Sequence, residues 1–187
     1  CHYFPRSMKD TGWFRITLPY MCTIFYMDAN NFGLLPSLIP LALANSTTSL
    51  ERQTNLLQIN FQVGAFTLVF ADFFTFYFDI PLRYPLFAYT ALNIFIYVCG
   101  ISADILAGFD VEELDAVAVL LCCSYIFNSA MSGYILIMAW RKASMEVPPQ
   151  NRESSSRACG YADQISSFVG SVIALLIVVS CGSCMKA

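Results

Sequence analysis

The stretch ITLPYMCTIFYMDANNFGLLPSLIPLAL, residues 16–43, has the length of a membrane-spanning helix but carries a polar centre at Asp28, Asn30 and Asn31. The hydrocarbon core of a bilayer, about 30 Å thick, is crossed by about 20 apolar residues in a helix. This stretch exceeds that length. It therefore predicts a transmembrane helix that holds polar groups at membrane depth.

Further apolar stretches of similar length occupy residues 56–77, 85–106, 117–140 and 162–181. The 187-residue chain is 57% hydrophobic and 12% charged, with a mean hydropathy of +0.60, so its polar surface is too small to cover a soluble domain. We predict an all-α, polytopic membrane protein with five transmembrane helices.

The predicted domain organisation follows from these spans: a cytosolic segment at residues 1–15, a membrane domain at 16–181 and an extracellular tail at 182–187. The polar residues 141–157 predict a cytosolic connector, with the serines at 154–156 capping the last helix.

The basic residues predict the orientation, because short cytosolic loops are enriched in Lys and Arg. If the N-terminal end of the chain is cytosolic, only Arg52 and Lys186 lie outside. The basic residues then on the cytosolic side are Arg6, Lys9, Arg15, Arg83, Arg141, Lys142, Arg152 and Arg157. We expect a plasma-membrane protein with an extracellular C-terminus.

The outer side of this arrangement carries a glycosylation acceptor, Asn45-Ser46-Thr47, and an acidic connector around Glu112. We therefore predict a glycan at Asn45. The chain begins at Cys1 with a polar, basic segment that leads into a helix, and we expect further membrane helices of the same protein upstream.

Several functional classes are disfavoured. The ten basic residues are scattered rather than grouped, which argues against nucleic-acid binding. The single histidine, His2, cannot build a Ser-His or Cys-His pair, and Cys181 and Cys184 form a C-x-x-C pair without metal-ligand neighbours. We expect no enzymatic activity, no metal site and no bound cofactor, and the lipid bilayer is the first predicted partner.

The first span is predicted to be broken, because it contains Pro19, Gly33, Pro36 and Pro40. Proline removes backbone hydrogen bonds, which membrane helices tolerate where protein or a water-filled cavity replaces them. Discontinuous helices of this kind build binding sites in transporters. A simple proline kink is the alternative interpretation.

Acidic residues at membrane depth are candidates for function. Asp28 lies in the polar centre and Asp72 deep in the second span, and the spans contain no basic residue to pair with them. Both are candidates for reversible protonation, and thus for pH sensing. A neutral Asp bonded to a neighbouring Ser or Asn is the alternative, and Asp163 could cap its helix.

Two segments together resemble the riboflavin transporter family of solute carriers. One is GLLPS at 33–37, preceded by MDANN at 27–31; the other is CGYADQISSFVG at 159–170. The Ser132-Gly133-Tyr134 sequence is similar to a Ser-Tyr pair in the tenth span of that family. Phe32 stands where the family has an Asn.

The resemblance implies the C-terminal five-helix bundle of an eleven-helix transporter with major-facilitator or equilibrative-nucleoside-like architecture. Such a protein transports riboflavin by alternating access through a central cavity. Riboflavin, a planar ring with a polar tail, suits aromatic faces with a few amides and hydroxyls. The substrate-binding residues expected from the resemblance are Asn31, Ser37, Tyr134, Gln164 and Ser167.

Two other interpretations remain. The pattern Met27-Asp28-x-x-Asn31-x-Gly33 is also similar to equilibrative nucleoside transporters, of which the chain would form one half. The third interpretation is a membrane scaffold subunit that transports nothing.

Overall fold

The computed structural model describes residues 12–46, 49–101, 106 and 108–184, and their regular structure is entirely helical. The elements, in chain order, are α1 (Gly12–Ala29), a π-helical turn (Asn30–Leu34), α2 (Leu35–Ser46), α3 (Leu50–Tyr77), α4 (Arg83–Ile101), α5 (Val111–Met145), a 3-10 turn (Pro149–Asn151) and α6 (Arg152–Cys184). The predicted all-α class is confirmed.

Helices long and apolar enough to cross a membrane are found at Leu50–Tyr77, Arg83–Ile101, Val111–Met145 and Pro149–Ile177. Three of them exceed the length of about 20 residues that a bilayer requires, and Arg83–Ile101, with 19 residues, is close to it. The unpaired backbone groups of each lie only at its ends. The length and apolar composition of these helices confirm the expectation of a multi-pass, membrane-embedded protein.

The first predicted span runs through α1, the π-helical turn and α2 without an unwound segment. The break expected from its prolines takes the form of the π turn, in which the chain stays helical but widens locally. Pro19 and Pro40 lie inside α1 and α2. Single π turns inside α-helices often mark functional sites.

The segment 141–157, predicted to be a connector, is largely helical, and this part of the prediction is wrong. The helix α5 continues to Met145 and α6 already begins at Arg152. The hydroxyl of Ser155 lies inside α6 and donates to the carbonyl of Ala143, 2.7 Å away. Polar residues extend these helices because helix ends outside a bilayer need no apolar surface.

The bundle is organised around α5, which packs against α1, α2, α3, α4 and α6. The other close pairs are α1 with α6 and α2 with α4. A capping box begins α5: the Glu113 amide donates to the Asp110 carboxylate at 2.9 Å, and the Asp110 amide donates to the Glu113 carboxylate at 3.1 Å.

Candidate functional site

The π-helical turn is held by hydrogen bonds with α4 and with the preceding helix α1. Tyr97 of α4 donates to the side-chain oxygen of Asn30, whose amide nitrogen donates to the Tyr26 carbonyl at 2.7 Å. The Tyr89 hydroxyl donates to the Asn31 oxygen at 3.1 Å. Burying an amide without partners is costly, so these bonds allow two asparagines to lie among apolar helices.

Glycine allows α6 to approach the backbone of this turn. A Cβ atom placed on Gly33 would lie 2.5 Å from the carbonyl oxygen of Gly170, and one on Gly170 would lie 2.9 Å from the carbonyl oxygen of Ala29. These separations are shorter than any side chain tolerates. Small residues at both positions therefore bring α1 and α6 together, as is common in membrane helix pairs.

A cavity of about 300 Å³ lies beside the π turn, between it, α3 and α5. We call it the polar cavity. Its lining residues are Asp28 from α1, Asn31 and Phe32 from the π turn, Leu35 from α2, Phe61, Gly64, Ala65 and Leu68 from α3, and Tyr125, Ser129, Ser132 and Leu136 from α5.

The polar groups of this cavity come mainly from the π turn and α5. The Asn31 amide donates to the Ser132 hydroxyl at 2.6 Å, and the Ser129 hydroxyl donates to the Tyr125 carbonyl at 3.0 Å. The rings of Phe61 and Tyr125 meet edge to face, with their centroids 6.0 Å apart. The lining therefore combines aromatic surface with an amide, hydroxyls and a carboxyl group.

Asp28 is the most deeply buried ionisable group of the polar cavity, with 3% of its surface exposed. Its Oδ2 atom has no hydrogen-bond partner among the described residues. The nearby carboxyl group that interacts with it belongs to Asp163 of α6. The sequence suggested a helix cap as one role for Asp163, whereas the structure places this residue in the interior of α6.

The structure brings two of the predicted residues, Asp28 and Asn31, into the polar cavity and places the others elsewhere. The Ser37 hydroxyl is buried and donates to the Gly33 carbonyl at 2.9 Å, which stabilises the π turn. Gln164 is exposed and Ser167 is half-buried on α6, and neither lines the polar cavity.

Tyr134 lies at a second cavity of about 330 Å³, which we call the apolar cavity. Its hydroxyl accepts a hydrogen bond from the Ile80 amide at 2.7 Å and lies 3.0 Å from the Phe78 carbonyl, to which it donates. The side chain thus holds the connection between α3 and α4. The apolar cavity is lined by Thr67, Phe70, Ala71, Phe74, Phe78, Ile80, Pro85, Phe127, Ala130, Met131 and Tyr134.

Two further predicted residues also lie outside the polar cavity. Asp72 is half-buried on α3, and its backbone carbonyl accepts a hydrogen bond from Thr75 at 2.7 Å. The Asn45 amide nitrogen donates to the carbonyls of Cys99 and Gly100, at 3.0 and 3.2 Å, at the end of α4. A glycan would replace one hydrogen of this nitrogen.

Sequence reasoning missed the hydroxyl groups of α5 as cavity residues. From the sequence alone, Ser132 was named only within Ser132-Gly133-Tyr134, and Ser129 was not named as a candidate. Together with Tyr125 they recur at helical spacing, which places all three on one face of α5. This periodicity was the signal that could have identified them.

Comparisons of the chain with protein-family models, with curated proteins and with solved structures gave no significant match.

Proposed function

We propose that this protein is a membrane transporter that binds its solute in the polar cavity, and that the solute is riboflavin. In this proposal the chain supplies the C-terminal half of the transporter, and the cavity is exposed to the two sides of the membrane in turn. The observation that carries the proposal is a cavity at the π turn, lined by aromatic rings and hydrogen-bonding groups.

The chemistry of the lining supports a planar solute with a polar tail. Phe61, Tyr125 and Phe32 offer aromatic surface, and Ser129 and Ser132 offer hydroxyls. Sites for small molecules have volumes of about 300 Å³ and more and are mostly apolar, with a few placed polar groups. A flat ring would contact the aromatic side chains, while its hydroxylated tail would bond to the amide and serines.

The hydrogen bond between Asn31 and Ser132 supports a role for the π turn in solute binding. It joins the turn to α5 across the edge of the cavity. A solute hydroxyl that inserts here exchanges one hydrogen bond for two, and changes the contact between the turn and α5. In this way, solute binding acts on the helix contact that alternating access must rearrange.

Uptake of labelled riboflavin by cells that express the protein tests this proposal, with unlabelled riboflavin and adenosine as competitors. The informative variants are Ser132→Ala in the cavity and Gln164→Ala, which the family resemblance predicts to bind solute. Ser171→Ala is the matched control, because Ser171 is an exposed serine of α6 that bonds only to the Ser167 carbonyl among the described residues.

Saturable uptake that riboflavin blocks, and that Ser132→Ala reduces while Ser171→Ala does not, supports the proposal. Loss of uptake in Gln164→Ala alone contradicts the polar cavity as the binding site. Uptake of adenosine in place of riboflavin contradicts the substrate and favours a nucleoside transporter. Transport of neither by surface-expressed protein contradicts the transport function.

A further inference from the structure

The contact between α1 and α6 brings two carboxyl groups together inside the helical bundle. The helices run in parallel, since the Thr17 and Ser155 hydroxyls meet at 2.9 Å near one end of the contact and Gly33 meets Gly170 near the other. Asp28 and Asp163 lie between these two points. Their carboxyl groups lie close enough to interact.

A hydrogen bond between two carboxyl groups requires a proton, because a carboxylate can only accept. If both groups were ionised, two negative charges would face each other where little water reaches them, and their repulsion would be strong. Asp28 is almost completely buried. The arrangement therefore favours one carboxylic acid beside one carboxylate.

The other groups around Asp28 provide no compensating positive charge. Tyr89 of α4 faces Asp28, and Tyr125 of α5 lines the same cavity. The residues that α3 contributes to the cavity are uncharged: Phe61, Gly64, Ala65 and Leu68. Within the described lining there is no Lys or Arg. A proton is therefore the positive charge that can reduce the repulsion between the two carboxyl groups.

The carboxyl pair is connected to the polar cavity through Asp28. Asp28 lines the cavity, and its Oδ2 atom is buried without a hydrogen-bond partner among the described residues. The charge of this side chain therefore acts on a solute in the cavity through a medium of low polarity. The same side chain thus borders the cavity on one side and Asp163 on the other.

We propose that Asp28 and Asp163 bind a single proton between their carboxyl groups, and that this proton regulates solute binding in the polar cavity. The regulatory part rests on the proposed transport function, whereas the shared proton does not. The proton comes from water and returns to it. Its loss places two carboxylates in contact, which weakens the packing of α1 on α6.

Infrared difference spectroscopy of the purified protein in lipid nanodiscs tests the shared proton without any transport assay. The C=O stretch of a protonated carboxyl group should be present in the wild-type protein and disappear on titration to alkaline buffer. We expect this titrating band to be lost in Asp28→Asn and in Asp163→Asn. It should remain in Glu153→Gln, which removes an exposed carboxylate of the same helix.

Folding defects are separated from loss of the proton by Asp163→Glu, which keeps a carboxyl group at the position. This variant should retain a titrating band at a shifted position. A band that persists in both Asn variants, or that is missing from the wild-type protein over the whole buffer range, overturns the proposal.

The regulatory part is tested by the pH dependence of riboflavin uptake. A single proton site changes its occupancy by up to about tenfold per pH unit, so wild-type uptake should vary strongly between acidic and alkaline buffers. Both Asn variants should lose this dependence, and Glu153→Gln should keep it. An unchanged pH dependence in the Asn variants, or a Na⁺ dependence that they abolish, overturns regulation by the proton.

The two proposals can fail separately. A titrating band that both Asn variants remove, in a protein that carries no riboflavin, supports the proton pair and contradicts the proposed substrate. Riboflavin uptake without such a band supports the substrate and overturns the pair.

Discussion

The polar and apolar cavities have nearly the same volume, about 300 and 330 Å³, and both are built from α3 and α5. They use different faces of these helices. On α5 the polar cavity is lined by Tyr125, Ser129 and Ser132, and the apolar cavity by Phe127, Met131 and Tyr134. Volume therefore does not distinguish a solute site from a gap between membrane helices. The distinction comes from the polar groups that α1, the π turn and α5 add to one of them.

The two cavities also differ in the contacts that hold their walls in place. The π turn beside the polar cavity touches the backbone of α6 directly at Gly33 and Gly170. The apolar cavity is bordered by the connection between α3 and α4, which the Tyr134 hydroxyl holds. Substitutions can test each wall separately.

The largest expected effect is at the glycine contact behind the polar cavity. In Gly170→Ala the new Cβ atom would meet the Ala29 carbonyl oxygen at 2.9 Å, so the backbones must separate. Overpacking of this kind costs about 1 to 3 kcal/mol of folding free energy. Thermal unfolding of the purified protein in detergent should show a markedly lower midpoint.

The matched control for this substitution is Gly160→Ala on the same helix. A Cβ atom there lies 3.7 Å from the nearest atom, on the Trp140 ring, which is an ordinary contact. The variant should be as stable as the wild-type protein or more stable, because Ala favours a helix over Gly by up to about 1 kcal/mol. Equal destabilisation of both variants would contradict a special contact at Gly170.

The second-largest effect is expected on the apparent affinity for the solute, which distinguishes the two cavities by function. Asn31→Ala removes the amide that bonds to both Tyr89 and Ser132. In the proposed site this amide also bonds to the solute. Loss of that hydrogen bond, about 1.4 kcal/mol, corresponds to about a tenfold weaker apparent affinity, measured as the KM of riboflavin uptake.

The apolar cavity supplies the comparison. Met131→Leu keeps the volume and apolar character of that lining, and should leave the KM unchanged. A larger change in KM for Met131→Leu than for Asn31→Ala would reverse the assignment of the two cavities.

A smaller effect is expected at Tyr134, the predicted substrate-binding residue that borders the apolar cavity. Tyr134→Phe removes the hydroxyl that bonds to Ile80 and Phe78, at a cost of about 1 kcal/mol in stability. Because this hydroxyl serves the connection between α3 and α4, the unfolding midpoint should fall while the KM of uptake stays constant. A raised KM with unchanged stability would support the binding role implied by the family resemblance.

The smallest effect is expected at Asn45, which lines neither cavity. Asn45→Gln displaces the amide that bonds to Cys99 and Gly100, and should lower stability by less than about 1 kcal/mol. Thr47→Ala removes the acceptor sequence but keeps that amide. A glycosidase-sensitive mobility shift that disappears in both variants would support the predicted glycan, and its absence from the wild-type protein would contradict it.

Much of the fold could be predicted from sequence because the bilayer imposes a simple length rule. The first apolar stretch covers α1, the π turn and α2, and its asparagines lie in the π turn. The stretches 56–77, 117–140 and 162–181 lie within α3, α5 and α6, and residues 85–101 of the remaining one lie within α4. The errors concern polar segments such as 141–157. Outside a bilayer, apolar length no longer marks where a helix begins.

The candidate site was predicted less completely, for a geometric reason. Successive residues of an α-helix differ by about 100° in direction. Tyr134 is two positions from Ser132 and therefore points away from the polar cavity, and Gln164 is one position from Asp163 and is exposed. A motif match locates the right turn of a helix without fixing which of its residues faces the cavity.

The sequence by itself determined the helical class, four of the five predicted spans and an irregularity within the first one, because these depend on apolar length and on local backbone chemistry. Only the tertiary structure decided that Asp28 meets Asp163, that Gly33 meets Gly170, and which face of α5 lines each cavity. In a soluble helix, an apolar stripe reveals the buried face. A membrane helix is apolar towards lipid and protein alike, so its rotation is set by the neighbours that it packs against.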